Sequence, residues 1–508
     1  MNRLTQTIGS SAVATMFLSA SAGADVTPQQ VWDDLGTYLR GFGYTVSGAG
    51  TERGGALTIS GFAISMDLPE GEGTFAFAAD EIVLTDRGDG SVAVEFPAVM
   101  PITLKVAPKD EEAVDLRVDY TQTGLDMLVS GVPGDMVWDY NADRLGMELS
   151  ELVVDGVPVG REMARFDIAM SDVEGASTIM QGALREISQG MSMGQLSYDF
   201  AFNNPDVPGS GQFSGRMLDL TFEGSTTLPL DMDAEDPAQL FAAGLGGEGL
   251  FTHSGGSMAF AVTEDGKTTT GETSSSSGEI GVSLSGDMVS YGVSATDMAL
   301  NLSAPDLPFP VSAKMAEAGF NMTLPLAAAE TPQDMAFGLT LGGFTMSDIL
   351  WNIFDPAKTL PREAATVSVD LVGTVTPFVN LFDPEAVATL EKTGGVPGAL
   401  NSLSLRELTV AAVGARLEGH GDFTFDNDDL ETFEGMPAPT GSVMLSLVGG
   451  NALIDRLIAM GLLAEQDAMG ARMMLSMFSV PGEGEDSLKS TIEVRGNGQV
   501  LANGQRIK

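Results

Sequence analysis

The stretch Leu57-Thr58-Ile59-Ser60-Gly61-Phe62-Ala63-Ile64-Ser65-Met66-Asp67-Leu68 decides the fold. Leu57 and Ile59 alternate with polar residues, and a two-residue period places both on one face of a strand. After Gly61 the apolar positions become Phe62, Ile64, Met66 and Leu68, a slip of the kind a glycine bulge produces. The same period recurs in Val92-Val94-Phe96, Val114-Leu116-Val118-Tyr120, Phe166-Ile168-Met170 and Leu196-Tyr198-Phe200-Phe202. It continues through Met258-Phe260-Val262, Ile280-Val282-Leu284, Met298-Leu300-Leu302, Phe337-Leu339-Leu341 and Val367-Val369-Leu371. Strict alternation means one buried face and one wet face, the mark of antiparallel sheets; parallel strands buried on both faces are apolar throughout. Arg87-Gly88-Asp89-Gly90 reads as a turn between two strands, and the Thr/Ser-rich run 263–278 reads as an exposed loop.

Helices frame these strands. Thr27, Pro28 and Gln30 form a capping box with proline at the first helical position, and Val31, Leu35, Tyr38 and Leu39 share a face. Phe354-Asp355-Pro356 and Phe382-Asp383-Pro384 each read as an Asp cap followed by a first-turn proline. Residues 451–460 and 464–478 predict a helical hairpin whose second helix carries Met469, Met473 and Met477 at four-residue spacing, with Met474 beside them. The expected fold is mainly β (a β-rich α+β protein): long, twisted antiparallel sheets with an N-terminal helix and this C-terminal hairpin. The expected organisation is a signal peptide at 1–24, an N-terminal helix and β region at 25–203, a middle β region at 204–345, and a C-terminal β region with helices at 346–508. Pro205-Asp206-Val207-Pro208 followed by Thr227-Leu228-Pro229-Leu230 has a counterpart in Pro305-Asp306-Leu307-Pro308 followed by Thr323-Leu324-Pro325-Leu326, a faint repeat that admits repeated β-groove units.

The first residues address the chain. Met1-Asn2-Arg3 is positive, 4–18 is uncharged, and Ala22-Gly23-Ala24 supplies small residues for cleavage, so the mature chain is expected to begin at Asp25. No later segment reaches about 18 uninterrupted apolar residues, so no transmembrane helix is expected in the mature chain. The 508 residues carry 70 Asp plus Glu against 25 Lys plus Arg, a net charge of −45. That field repels phosphate backbones, which excludes nucleic acid as a partner and admits a basic envelope protein. With no cysteine there is no disulfide, thiolate site or cysteine nucleophile, and burial must supply the stability.

Several phrases carry a family resemblance: Leu360-Pro361-Arg362, the acidic run 426–434 leading into Gly435-Met436-Pro437, Met469-Gly470-Ala471-Arg472-Met473-Met474, and Ala502-Asn503-Gly504-Gln505-Arg506. Together they resemble the alphaproteobacterial envelope proteins grouped as domain of unknown function 2125. The resemblance implies a Gram-negative, periplasmic protein; it implies no catalytic residue and no ligand.

Reactive constellations are thin. Only two histidines occur, His253 and His420, neither with a second His or Cys at ligand spacing, so no metal or other cofactor is expected. Gly190-Met191-Ser192-Met193-Gly194 matches a nucleophile elbow in letters, but that motif needs a strand followed by a helix, whereas residues 183–187 read as helical and 196–202 as a strand. Acidic clusters at Asp231, Asp233, Glu235 and Asp236 and at Asp422, Asp426, Asp428, Asp429 and Glu431 lack the central glycine of a calcium loop. They read as solvated. No enzyme is expected. An outer-membrane barrel would want more than 3 Trp and 6 Tyr for its aromatic girdles. The expectation is a periplasmic protein holding lipid or another hydrophobic ligand in a β-groove, with Met469, Met473, Met474 and Met477 as lining candidates; the alternative is a structural or protein-interaction factor with an acidic surface. The methionine face is expected to dock on apolar surface.

Overall fold

The computed structural model describes residues 25–68, 71–107, 112–203, 209–230 and 237–508. The leader, the Pro205–Pro208 motif and the 231–236 acidic cluster lie outside the described residues. Among the described residues, twenty-seven strands hydrogen-bond into one antiparallel sheet, from Thr45–Arg53 at one edge to Gln505–Arg506 at the other. The three β stretches expected from the sequence contribute successive strands to it. Among the described residues no ladder joins the two edges, so the sheet is open. Six helices among the described residues accompany it: α1 (Pro28–Gly41), α2 (Pro237–Ala242), α3 (Asp348–Phe354), α4 (Pro384–Thr393), α5 (Gly450–Ala459) and α6 (Glu465–Phe478). The C-terminal helices alternate between ends: α3, α5 and α6 sit at what we call the upper end of the strands, α2 and α4 at the lower end.

A bulge at Gly61 absorbs the slip read from the sequence. Gly61 has φ +62°, and the register with the edge strand shifts between Ser47 and Ala49. The device is repeated across the sheet with aspartate in the left-handed conformation. Asp172 (φ +51°) stands opposite Gly194, which stands opposite Asp219 (φ +46°). Further along, Asp297 (φ +48°) stands opposite Ala316 and then Gly343 (φ +67°). Short polar side chains tolerate this region; Asp219 also accepts a hydrogen bond from the remote Ser254 at 2.6 Å. Each such residue resets the phase, so Met191 and Met193 below the line and Leu196 above it belong to one apolar cluster.

The deepest core lies in the N-terminal half. Val31 of α1 packs with Leu57, Ile59, Phe62, Ile82, Val92, Val129 and Met136. The capping box forms as read: Gln30 N–H donates to Thr27 Oγ1, and Thr27 N–H donates to the Gln30 side chain. α1 also reaches the far strand Leu184–Asn203, where Arg185 pairs with Asp34 at 3.3 Å and lies 4.9 Å over the Tyr38 ring. Six strand steps separate that strand from Ala56–Asp67, roughly 29 Å if flat, against a helix only about 10 Å across. Contact with both requires the sheet to curl around α1.

Three local expectations are corrected. The run 263–278 is not a loop: Gly255–Glu264 and Lys267–Ser275 form a hairpin turning at Asp265-Gly266. Hydroxyls on both faces hid the period, yet threonine suits strands, and Thr263 and Thr268 bond across the pair at 2.9 Å. Residues 184–187 are not helical but open the strand Leu184–Asn203, where ladder pairing with Leu228 and Thr226 outweighs local spacing. Asp355 does not start a helix; it follows α3, and its carboxylate accepts from the Thr359 and Leu360 amides at 2.8 and 2.9 Å. Asp383 does cap α4, accepting from Glu385 and Ala386.

Candidate functional site

Cross-strand pairing builds the apolar face row by row. Phe251, Ile280, Val293, Phe320, Leu339 and Val369 stand opposite one another on successive rows. Beside them run Val282, Tyr291, Met322, Phe337, Leu371 and Leu405. Rings meet at Tyr291–Phe320 (6.1 Å) and edge-to-face at Phe320–Phe337 (5.7 Å). Each row crosses six strands, roughly 24 Å.

This is the face that α1 covers further back in the chain, but here it is open. Ile280, Val282, Tyr291, Phe337, Leu341 and Val367 are 36–45% exposed, whereas Ile59 in the N-terminal half is fully buried. Isolated apolar side chains on a surface need no explanation. A contiguous apolar surface wider than a few hundred Å² marks an interaction site.

The hairpin forms as expected, but its methionine face does not dock. Met469 and Met473 are 71% and 67% exposed, and Met474 and Met477 are exposed beside them. α6 packs instead through Ala468, which is buried, and is tied to α5 by the Arg472–Asp455 pair. Two apolar stripes run along α6, and the smaller one, able to approach its neighbour closely, took the contact. Met477 borders a shallow depression of about 540 Å³ with Phe478, Val500 and Ile507. The structure therefore groups the four methionines at the upper end of the sheet, outside the two rows. Sequence reading missed Phe337, Leu341 and Val282 as exposed positions, because alternation gives a face but not its cover.

The charged groups are structural in geometry. Burial raises the Asp34 carboxyl above its ordinary 3.8, with Arg185 opposing. Burial would also raise Asp355, but the amides of Leu360 and Thr359 outweigh it and hold the carboxyl below 3.8. Asp486 is lowered in the same way: burial is overcome by the amides of Ala452 and Asn451, which leaves Asp486 capping α5 from a distance. Ser192 lies mid-strand, paired with Glu174 and Thr221, far from any elbow geometry. His253 lies over Gly278, and His420 faces Met444 on a distant strand. Among the described residues no three potential ligands gather for a metal. In the second acidic cluster Asp429 accepts from Glu431 and Thr432, and Asp426 from Asp428, as turn-forming bonds. On the opposite face of the sheet a polar depression of about 510 Å³ is lined by Ser197, Ser214, Arg216, Ser257, Glu272 and Asn301.

The open face coincides with a sequence family. A family model described as "Uncharacterized protein conserved in bacteria (DUF2125)" matches residues 254–507. The chain belongs to this family. The resemblance carried by Leu360-Pro361-Arg362 and the later phrases is thereby established, and the match spans the half in which the apolar face is uncovered. No curated protein and no solved structure matches the chain. No described helix is long and apolar enough to cross a membrane.

Proposed function

We propose that this member of the DUF2125 family is exported to the periplasm and holds a lipid or another apolar ligand against the open face of its C-terminal half, without catalysis. One observation carries the reading: two adjoining apolar rows, six strands long, stay only partly buried, with Ile280, Val282, Tyr291 and Phe337 exposed, on a face that the same sheet buries under α1 elsewhere. A bound acyl chain would remove that area from water at about 25 cal/mol per Å². The signal-like leader, with Arg3, the uncharged run and Ala22-Gly23-Ala24, supports export.

Mass spectrometry of an organic extract of natively purified protein tests the reading, and stoichiometric lipid is expected. After delipidation, a fluorescent phospholipid should bind saturably, and Phe337→Asp should weaken it about tenfold or more. An extract without lipid, together with no saturable binding, would leave the alternative: an interaction factor whose net charge of −45 meets a basic envelope protein.

A further inference from the structure

We propose that the two apolar rows end, toward α1, in a head-group subsite that takes the carbonyl end of an acyl lipid through the oxygens of its carboxyl or ester group; the proposal rests on the lipid-binding reading and deepens it. Cross-strand pairing carries both rows back into the N-terminal half. The row of Phe251 and Ile280 continues through Phe222, Met191 and Gly175 to Tyr140. The row of Val282 and Tyr291 continues through Gly249, Gly224, Gln189 and Ser177 to Trp138. Gln189 lies three strand steps from Val282, roughly 14 Å.

Hydrogen-bonding groups without partners gather at this end of the two rows. The Trp138 indole Nε1 is buried and makes no hydrogen bond. Among the described residues the side chains of Tyr140, Ser177 and Gln189 make none either. Trp138 packs against the cluster under α1 and Tyr140 against the next cluster, so the four stand where two buried clusters meet. Gln189 is exposed and opens the spot to water. The Tyr140 ring lies across Gly175, where a Cβ would come within 2.5 Å of its hydroxyl, and the Phe222 ring lies over Gly224 and Gly249. Those two glycines leave only that ring between the polar spot and the open rows. An indole N–H can only donate, and burial raises the Tyr140 hydroxyl above its ordinary 10.0, which keeps it protonated and able to donate. Ser177 and Gln189 can add donors beside them. A buried donor left without an acceptor is costly, so carbonyl oxygens suit this set. Phosphate suits it less: Arg185, four residues from Gln189 on the same face, is held by Asp34, and a net charge of −45 disfavours a dianion.

Displacement of diphenylhexatriene, a fluorescent hydrocarbon without a head group, tests the subsite on delipidated protein. Dodecanoic acid, methyl dodecanoate and dodecane are compared on wild type and on the double variant Trp138→Phe/Tyr140→Phe, which removes two donors and keeps two rings. The acid, the ester or both should bind the double variant about tenfold more weakly, and dodecane should bind both proteins equally. A loss confined to the acid assigns the subsite to a free carboxyl group, and a loss confined to the ester assigns it to an esterified one. Unchanged dodecane binding also shows that the double variant keeps its fold. Gln189→Ala, at an exposed position, should produce a smaller loss with the same selectivity. Leu341→Asp, on the open face, should weaken all three ligands alike. Equal affinity of wild type and double variant for acid and ester would overturn the proposal and leave the groove reading standing. A loss that dodecane shares equally would overturn it as well, because the variant would then have damaged packing rather than a head-group contact. Diphenylhexatriene that does not bind wild type saturably would defeat the groove reading and the subsite with it.

Discussion

The two halves of this protein use one sheet and one pattern of alternation, yet only the N-terminal half makes a conventional core. There, α1 lies in the curl of the sheet, and Val31, Leu57, Ile59 and Ile82 lose essentially all contact with water. In the family-matched half, equivalent rows of Val, Ile, Leu and Phe stay partly wet. The difference teaches that strand patterning and burial are separable. Alternation says which side chains share a face, and the cover is a second decision made by another element.

That contrast breaks down if the two halves respond alike to truncation. Ile59→Ala should cost about 2–5 kcal/mol, as a filled core site does. Leu341→Ala, on the open face, should cost less than about 1 kcal/mol, because little buried contact is lost. Denaturant midpoints measured on the delipidated protein compare them directly.

The helix cover can be attacked at its latch. Arg185→Ala leaves Asp34 buried without its cation and should cost about 3 kcal/mol, with hydrogen exchange rising in α1 and not in the C-terminal half. Next in size is Asp486→Ala, which uncaps α5 and should cost about 1–2 kcal/mol, seen as faster exchange in the hairpin.

Acid should split the halves by sign. Asp34 has a folded value above 3.8, so its contribution is complete below 3.8 and is lost as pH rises through the folded value. The stability difference between wild type and Asp34→Asn should therefore shrink with rising pH. Asp355 has a folded value below 3.8, so its contribution is present above 3.8 and is lost as pH falls through the folded value. Wild type minus Asp355→Asn should shrink with falling pH. Parallel slopes would contradict the geometry of one of the two sites. The smallest effect belongs to Met473→Asp, expected within about 0.5 kcal/mol because the side chain is exposed.

The strands and their antiparallel sense were legible in the sequence, because Leu57-Ile59 and Phe62-Ile64 report a local geometric period. The capping box at Thr27 and the cap at Asp383 were legible for the same reason: their partners are within three residues. Asp355 misled because its carboxylate serves later amides, a choice made by the turn at 355–360. The aspartate bulges at Asp172, Asp219 and Asp297 escaped notice, since only glycine announces a left-handed residue by its identity. The site was the least legible part. Met469, Met473, Met474 and Met477 have the spacing of a packing face, but which of two stripes on α6 packs depends on α5 and on elements remote in sequence. The open rows needed the ladder itself, because Ile280 and Phe337 meet their neighbours only across strands.

A titration of delipidated protein with a fluorescent phospholipid, run on wild type, Leu341→Asp and Ser192→Asp, tests the central claim most directly. Saturable binding to wild type and to Ser192→Asp, with at least tenfold weaker binding to Leu341→Asp, is the predicted result. Binding that fails to saturate, or that Leu341→Asp leaves unchanged, would contradict the claim that the uncovered face of the C-terminal half is a binding surface.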